Sequence, residues 1–204
     1  MADGGAVRGL TLDDVLDLRA YERVRDDYRA KVIAMKKNRR VALGPIMTLV
    51  FECLDTVRFQ VQEMARVEKM TTDEQIRAEL DVYNPLIPEP GELSATLFVE
   101  LTDEESLRRW LPALVGIERA VVLRIGEGGT AQEVRSMPEA AHAEKLTRED
   151  VTSSVHYVRF GLDEGQVEAF AAGPVAVAID LPAYREQTVL DDATRGELVT
   201  DLRP

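Results

Sequence analysis

Apolar positions change their period several times along this chain, and each change marks an element. Thr11 followed by Leu12, Asp13 and Asp14 reads as a helix start, a hydroxyl N-cap with acids in the first turn. From Ala20 to about Arg40, apolar residues recur at Tyr21, Val24, Tyr28, Val32 and Met35, one stripe of a long amphipathic helix. Val41 to Glu52 is richly apolar and broken by Gly44-Pro45, the pattern of a bent strand or a strand pair. Helical period returns from Thr56 to Met70, with Val57, Val61, Met64 and Val67 on one face. Thr72 to Tyr83 predicts a further helix, closed by Asn84-Pro85 and a turn-rich connector through Pro88, Pro90 and Gly91.

The second half alternates strand and helix. Ser94 to Leu101 predicts a strand, Asp103 to Leu114 a helix, and Arg119 to Ile125 a second strand. Gly126 to Gly129 is a hairpin turn that returns Ala131 to Ser136 as a partner. After a polar excursion through about Asp150 come a strand at Ser154 to Leu162, a helix at Asp163 to Ala172 and a strand at Pro174 to Asp180. The order βαββαβ predicts an α+β fold, a ferredoxin-like antiparallel sheet with the N-terminal helices packed on its open face. The expected division is a flexible tail (1–10), a mainly helical region (11–90) and a ferredoxin-like region (91–204) that share one core.

Several polar residues fall where an apolar one is expected. Gln60 and Glu68 lie on the apolar face of the Thr56–Met70 helix, and a carboxylate there must be paired, protonated or bound to a ligand. Alternation places Thr96, Phe98 and Glu100 on one face of the first predicted strand, opposite Ala95, Leu97, Val99 and Leu101. In the third strand Tyr157 and Arg159 lie opposite His156, Val158 and Phe160, so Glu100 could meet Arg159 or His156. Asp180 closes the fourth strand. Either a structural ion pair or a functional site fits these residues. A lone histidine on an apolar strand face is ordinarily a hydrogen-bonded core residue. His142 stands in Glu139-Ala-Ala-His142, the helix spacing of di-iron carboxylate proteins, but without the second such motif they require.

Composition narrows the classes. The 204 residues carry a net charge of -12, which disfavours nucleic acid and anionic membrane as partners and favours a basic one. The basic run Lys36, Lys37, Arg39 and Arg40 is the exception; it suits a helix C-terminus, or an anion or acidic-partner site. The longest apolar runs are too short to span a bilayer, and Met1 to Gly9 lacks the pattern of a signal peptide, so a cytoplasmic protein is expected. Cys53 stands alone between apolar neighbours and reads as a buried thiol. Phosphate-loop, dinucleotide, nucleophile-elbow and zinc-protease motifs do not occur.

An ordered series of segments then suggests a family. It runs through Tyr21-Glu-Arg-Val-Arg, Lys36-Lys-Asn-Arg-Arg, Phe51-Glu52 and Gln60-Val-Gln-Glu-Met64. It continues through Glu79 to Pro88, Ala95-Thr-Leu, Gly116-Ile-Glu118, Ser154 to Phe160 and Pro182-Ala-Tyr184. Over nearly its whole length the chain resembles the bacterial family catalogued as domain of unknown function 3501. The resemblance implies a redox or oxidative-stress setting, since members are often encoded near rubrerythrin-like proteins and an iron–sulfur oxidoreductase. It also implies a histidine where this chain has Met35 and another where it has Leu181. A family metal site would here have to be rebuilt from Glu52, Glu63, Glu68 and His156, a ligand set suited to iron, manganese or zinc. Two expectations follow: an accessory protein that contacts a redox metalloenzyme, or a metal-binding protein or metal-dependent oxidoreductase with a carboxylate–histidine site.

Overall fold

The computed structural model describes residues 9–140 and 151–203. A short 3-10 turn, Leu12–Asp14, follows Thr11, which shares a capping box with Asp14. Helix α1 (Leu18–Lys37) is capped by Asp17, whose carboxylate accepts from the Ala20 amide. The apolar run behind it is a hairpin, β1 (Arg40–Leu43) and β2 (Met47–Glu52), turning at Gly44. Gly44 has φ +69° and lies against the Tyr184 hydroxyl and the Glu186 side chain, so a side chain there would be both strained and obstructed. Helices α2 (Leu54–Val67) and α3 (Asp73–Tyr83) follow, the latter opened by a Thr72–Gln75 capping box.

Beyond them come β3 (Glu92–Val99), α4 (Glu104–Ala113), β4 (Val121–Ile125), β5 (Gln132–Arg135) and β6 (Met137–Pro138). The chain closes with β7 (Val155–Gly161), α5 (Glu164–Ala172), β8 (Val175–Leu181), β9 (Tyr184–Val189) and α6 (Asp192–Leu202). Among the described residues the strands form two antiparallel sheets, ordered β1-β2-β3-β7-β6 and β5-β4-β8-β9.

The fold is α+β, but the four strands expected in one ferredoxin-like sheet divide between these two. β3 and β7 are antiparallel neighbours as expected, but β4 and β8, expected in the same sheet, pair in the second one. The reason is edge occupancy. The β1–β2 hairpin takes the free edge of β3, and β6 takes that of β7, so neither remains for β8 or β4.

The sheets enclose one core. Leu49, Phe51, Leu97 and Phe160 of the first face Val121, Leu123, Val177 and Ile179 of the second. On one side the chain passes between sheets through Ser136, which links β5 to β6. On the other, the Tyr184 hydroxyl donates to the Leu43 carbonyl at 2.7 Å, tying β9 to β1. Val167 and Phe170 of α5 and Leu198 and Leu202 of α6 seal the same core. Each fully buried Leu or Phe contributes about 1.5–3 kcal/mol through the hydrophobic effect. A smaller cluster lies around α2 and α3, where Val57, Val61, Leu80, Leu86 and Ile87 pack together with Tyr157 of β7. No helix among the described residues is long and apolar enough to cross a membrane.

Candidate functional site

The basic run at the end of α1 does not present a free cationic patch. Lys36 and Lys37 occupy the last helical turn, where they complement its dipole, while Arg39 turns inward and is 2% exposed. Its guanidinium reaches across the chain to α6. Nε and Nη2 donate to Glu197 at 3.1 and 2.9 Å, and Nη1 and Nη2 donate to Asp201 at 2.6 and 3.0 Å. Burial works against its charge, but Asp201, Cys53 and Glu197 together hold it more firmly protonated than usual.

Cys53 sits in the same place, at the N-cap of α2. Its Sγ lies 3.7 Å from the Met35 sulfur. Burial pushes the thiol pKa up, while the Arg39 guanidinium and the amides at the start of α2 pull against that rise. These groups open onto a cavity of about 980 Å³ between the end of α1, the 84–90 connector and α6.

Beneath the cavity the outer face of the first sheet is polar. Register places Glu52, Ser94 and Arg159 side by side on adjacent strands. Glu52 is 8% exposed, and its carboxylate accepts from the hydroxyls of Thr56 and Thr96 at 2.5 and 2.7 Å. Thr56 in turn accepts from the Cys53 amide at 2.9 Å, which ties the buried carboxylate to the main chain at the start of α2. Arg159 donates to Glu92 at 2.7 Å and to the Ile87 carbonyl at 3.3 Å. The Nε of Arg159 and the Oγ of Ser94 are buried without hydrogen-bond partners. Such atoms cost about 1–3 kcal/mol each. Of this row Arg159 lines the cleft, with Ser94 beside it on β3.

The four residues expected to rebuild a metal site do not converge. His156 faces the inner core, across the sheet from Glu52, and its Nε2 lies 2.9 Å from both Thr152 Oγ1 and the Ser153 carbonyl. Burial lowers its pKa. Glu63 accepts from Tyr21, Arg25 and Arg66, and Arg25 before all holds its carboxyl down at about 2. Glu68 caps the C-terminus of α2 and is exposed, because the helix ends at Val67 and Lys69 turns left-handed at φ +53°. The buried face of α2 is Val57, Val61 and Ala65, leaving Gln60 in solvent. Among the described residues no three His, Cys, Asp or Glu side chains gather to hold a metal ion. His142 lies outside the described residues.

The remaining candidates are ion-paired elsewhere. Glu100 meets neither Arg159 nor His156; it accepts from Thr48 at 3.0 Å and from Arg40 at 3.4 Å, at the exposed end of the sheet. Asp180 is exposed and pairs with Arg135 at 3.3 Å. Of the positions given by family resemblance, Met35 lines the cleft, while Leu181 ends β8 opposite Tyr184. Sequence reasoning missed Gln62, which is buried and bonds both the amide and the carbonyl of Leu16. It also missed Glu197 and Asp201, whose helix follows an N-cap at Asp191 and buries Leu198 and Leu202 one turn apart, a signal that was there to read.

Fold and site together define a two-sheet α+β protein with a mixed-charge cleft on the outer face of one sheet. The chain belongs to the DUF3501 family, proteins of unknown function, whose description matches residues 9–202. It is similar to a protein of unknown function from Burkholderia pseudomallei, known from a crystal structure. The two share 37% identity over 95% of this chain and 98% of that one, with a TM-score of 0.85. No curated protein matches the chain.

Proposed function

We propose that this chain is an accessory protein of a redox or oxidative-stress system, acting by contact with a metalloenzyme through the Arg39–Cys53 cleft. One observation carries this reading: the guanidiniums and the thiol of the cleft are held by their neighbours and not poised for bond-making. Arg39 is committed to Glu197 and Asp201, and Arg159 to Glu92. Cys53 touches a thioether, and burial dominates its acidity. A nucleophilic thiol needs a neighbouring base, and the described imidazole, His156, faces the opposite side of the sheet. What the cleft offers is shape and charge, the means of recognition. The redox setting is supported by the family's association with rubrerythrin-like proteins and an iron–sulfur oxidoreductase.

The test is affinity purification of the tagged chain from its own organism under native conditions, with metal analysis of what co-elutes. An iron-containing protein enriched over a tag-only control is the expected result. An eluate without any metalloprotein would contradict the proposal.

A further inference from the structure

The charges lining the cleft do not balance. Arg39 has its guanidinium filled by Glu197 and Asp201. Arg159 is held by Glu92, and Asp55 pairs with Arg58 at 3.5 Å. Asp81 and Glu89 line the same cavity, are exposed, and make no ion pair among the described residues. The surplus is therefore negative, in a chain whose net charge is -12. An anionic ligand would find the Arg39 guanidinium filled and Arg159 already paired with Glu92. A cationic one would meet two carboxylates without competing for them. Between those acids the wall is apolar, formed by Pro85, Ile87, Pro88 and Pro90.

We propose that the cleft receives an extended, arginine- or lysine-bearing segment of the partner protein. This rests on reading the cleft as the docking surface. The aliphatic stems of the basic residues lie along the proline wall while their cationic heads reach Asp81 and Glu89. The floor adds a second recognition element. Arg159 Nε is a donor without an acceptor, beside Ser94 Oγ in the same condition. Arg159 lines the cleft, so a shift of its side chain would bring Nε to a main-chain carbonyl of the segment.

The probe is a fluorescein-labelled peptide of alternating arginine and serine, titrated with the protein at low salt and followed by fluorescence anisotropy. Wild type binds it. Asp81→Lys with Glu89→Lys weakens binding by roughly tenfold or more, whereas Glu22→Lys with Glu105→Lys, two exposed acids outside the cleft, changes it by less than about threefold. Arg159→Met weakens binding with the rim acids intact, and thermal melting confirms that each variant is folded. No binding, or equal binding by wild type and the Asp81/Glu89 variant, overturns the proposal. Displacement by spermidine at matched charge concentration overturns it in favour of a small polyamine ligand. Capture of a metalloprotein without peptide binding removes this inference and leaves the accessory role standing; peptide binding without a metalloprotein does the reverse.

Discussion

The two faces of the first sheet are built on opposite principles. Its inner face meets the second sheet through Leu49, Phe51, Leu97, Val158 and Phe160, all apolar and nearly inaccessible. Its outer face, equally buried along Glu52, Ser94 and Thr96, is polar and rests on hydroxyl, carboxylate and guanidinium contacts. The inner face maximises burial, and stability follows from it. The outer face gives up part of that gain, keeps polar atoms without partners, and opens onto a cleft. Unpaired polar atoms on one face of a well-packed sheet support the proposed docking role of that face.

Truncation separates the two faces most sharply. Phe160→Ala removes a ring that is 0% exposed and packs near Phe51, and should cost about 4 kcal/mol in denaturant unfolding without altering what the cleft binds. Arg39→Ala leaves Asp201 and Glu197 facing each other without their cation and should cost about 3 kcal/mol. Replacing all three by apolar residues should recover much of that loss, because an ion cluster of this kind is dear to break and cheap to replace. If the triple replacement is as unstable as Arg39→Ala, the contrast between the faces fails.

Acid dependence offers a finer cut. Glu63 titrates at about 2, below its unfolded value near 4.5, so the folded chain binds fewer protons and gains stability above the unfolded pKa. That stability is lost as pH falls from about 5 towards 2. Glu63→Gln should cost about 2 kcal/mol at neutral pH and flatten this acid limb in pH-dependent urea unfolding. His156 also has a lowered pKa, so folding excludes its proton and stability declines as pH drops through 6.5. The effect is the smallest expected, since the imidazole is neutral in the folded chain at pH 7 and the change is confined to acid. Elemental analysis should show no iron, manganese or zinc that His156→Ala removes; a stoichiometric metal lost in that variant would revive the carboxylate–histidine site.

Much of the layout could be read from the residues because the relevant forces are local. Gly44-Pro45 allowed a bent strand or a strand pair and the chain forms the pair, while the Thr72–Tyr83 stretch closed by Asn84-Pro85 became α3. Alternation correctly set Tyr157 and Arg159 opposite His156 and Phe160. Alternation gives a strand's faces but not its neighbours, and β4 and β8 are buried throughout their apolar runs, so nothing in them tells which sheet they join. The misplacement of Glu68 came from extending the α2 period past Val67, where the chain turns at a lysine and not at a signalling glycine. Of the expected site residues only Arg159 lines the cleft. Arg39 read as one member of a basic run and Cys53 as a buried thiol, and the carboxylates that complete the cluster lie about 160 positions along the chain, where no local pattern links them.

The most direct measurement places a photo-crosslinking amino acid at one of two exposed valines in the living cell. Val82 adjoins Asp81 at the cleft rim, and Val189 lies on the edge strand β9 of the second sheet. Crosslinking to a redox metalloprotein from position 82 and not from position 189 is the predicted result. The same adduct from both positions, or from 189 alone, would contradict the assignment of the cleft as the working surface.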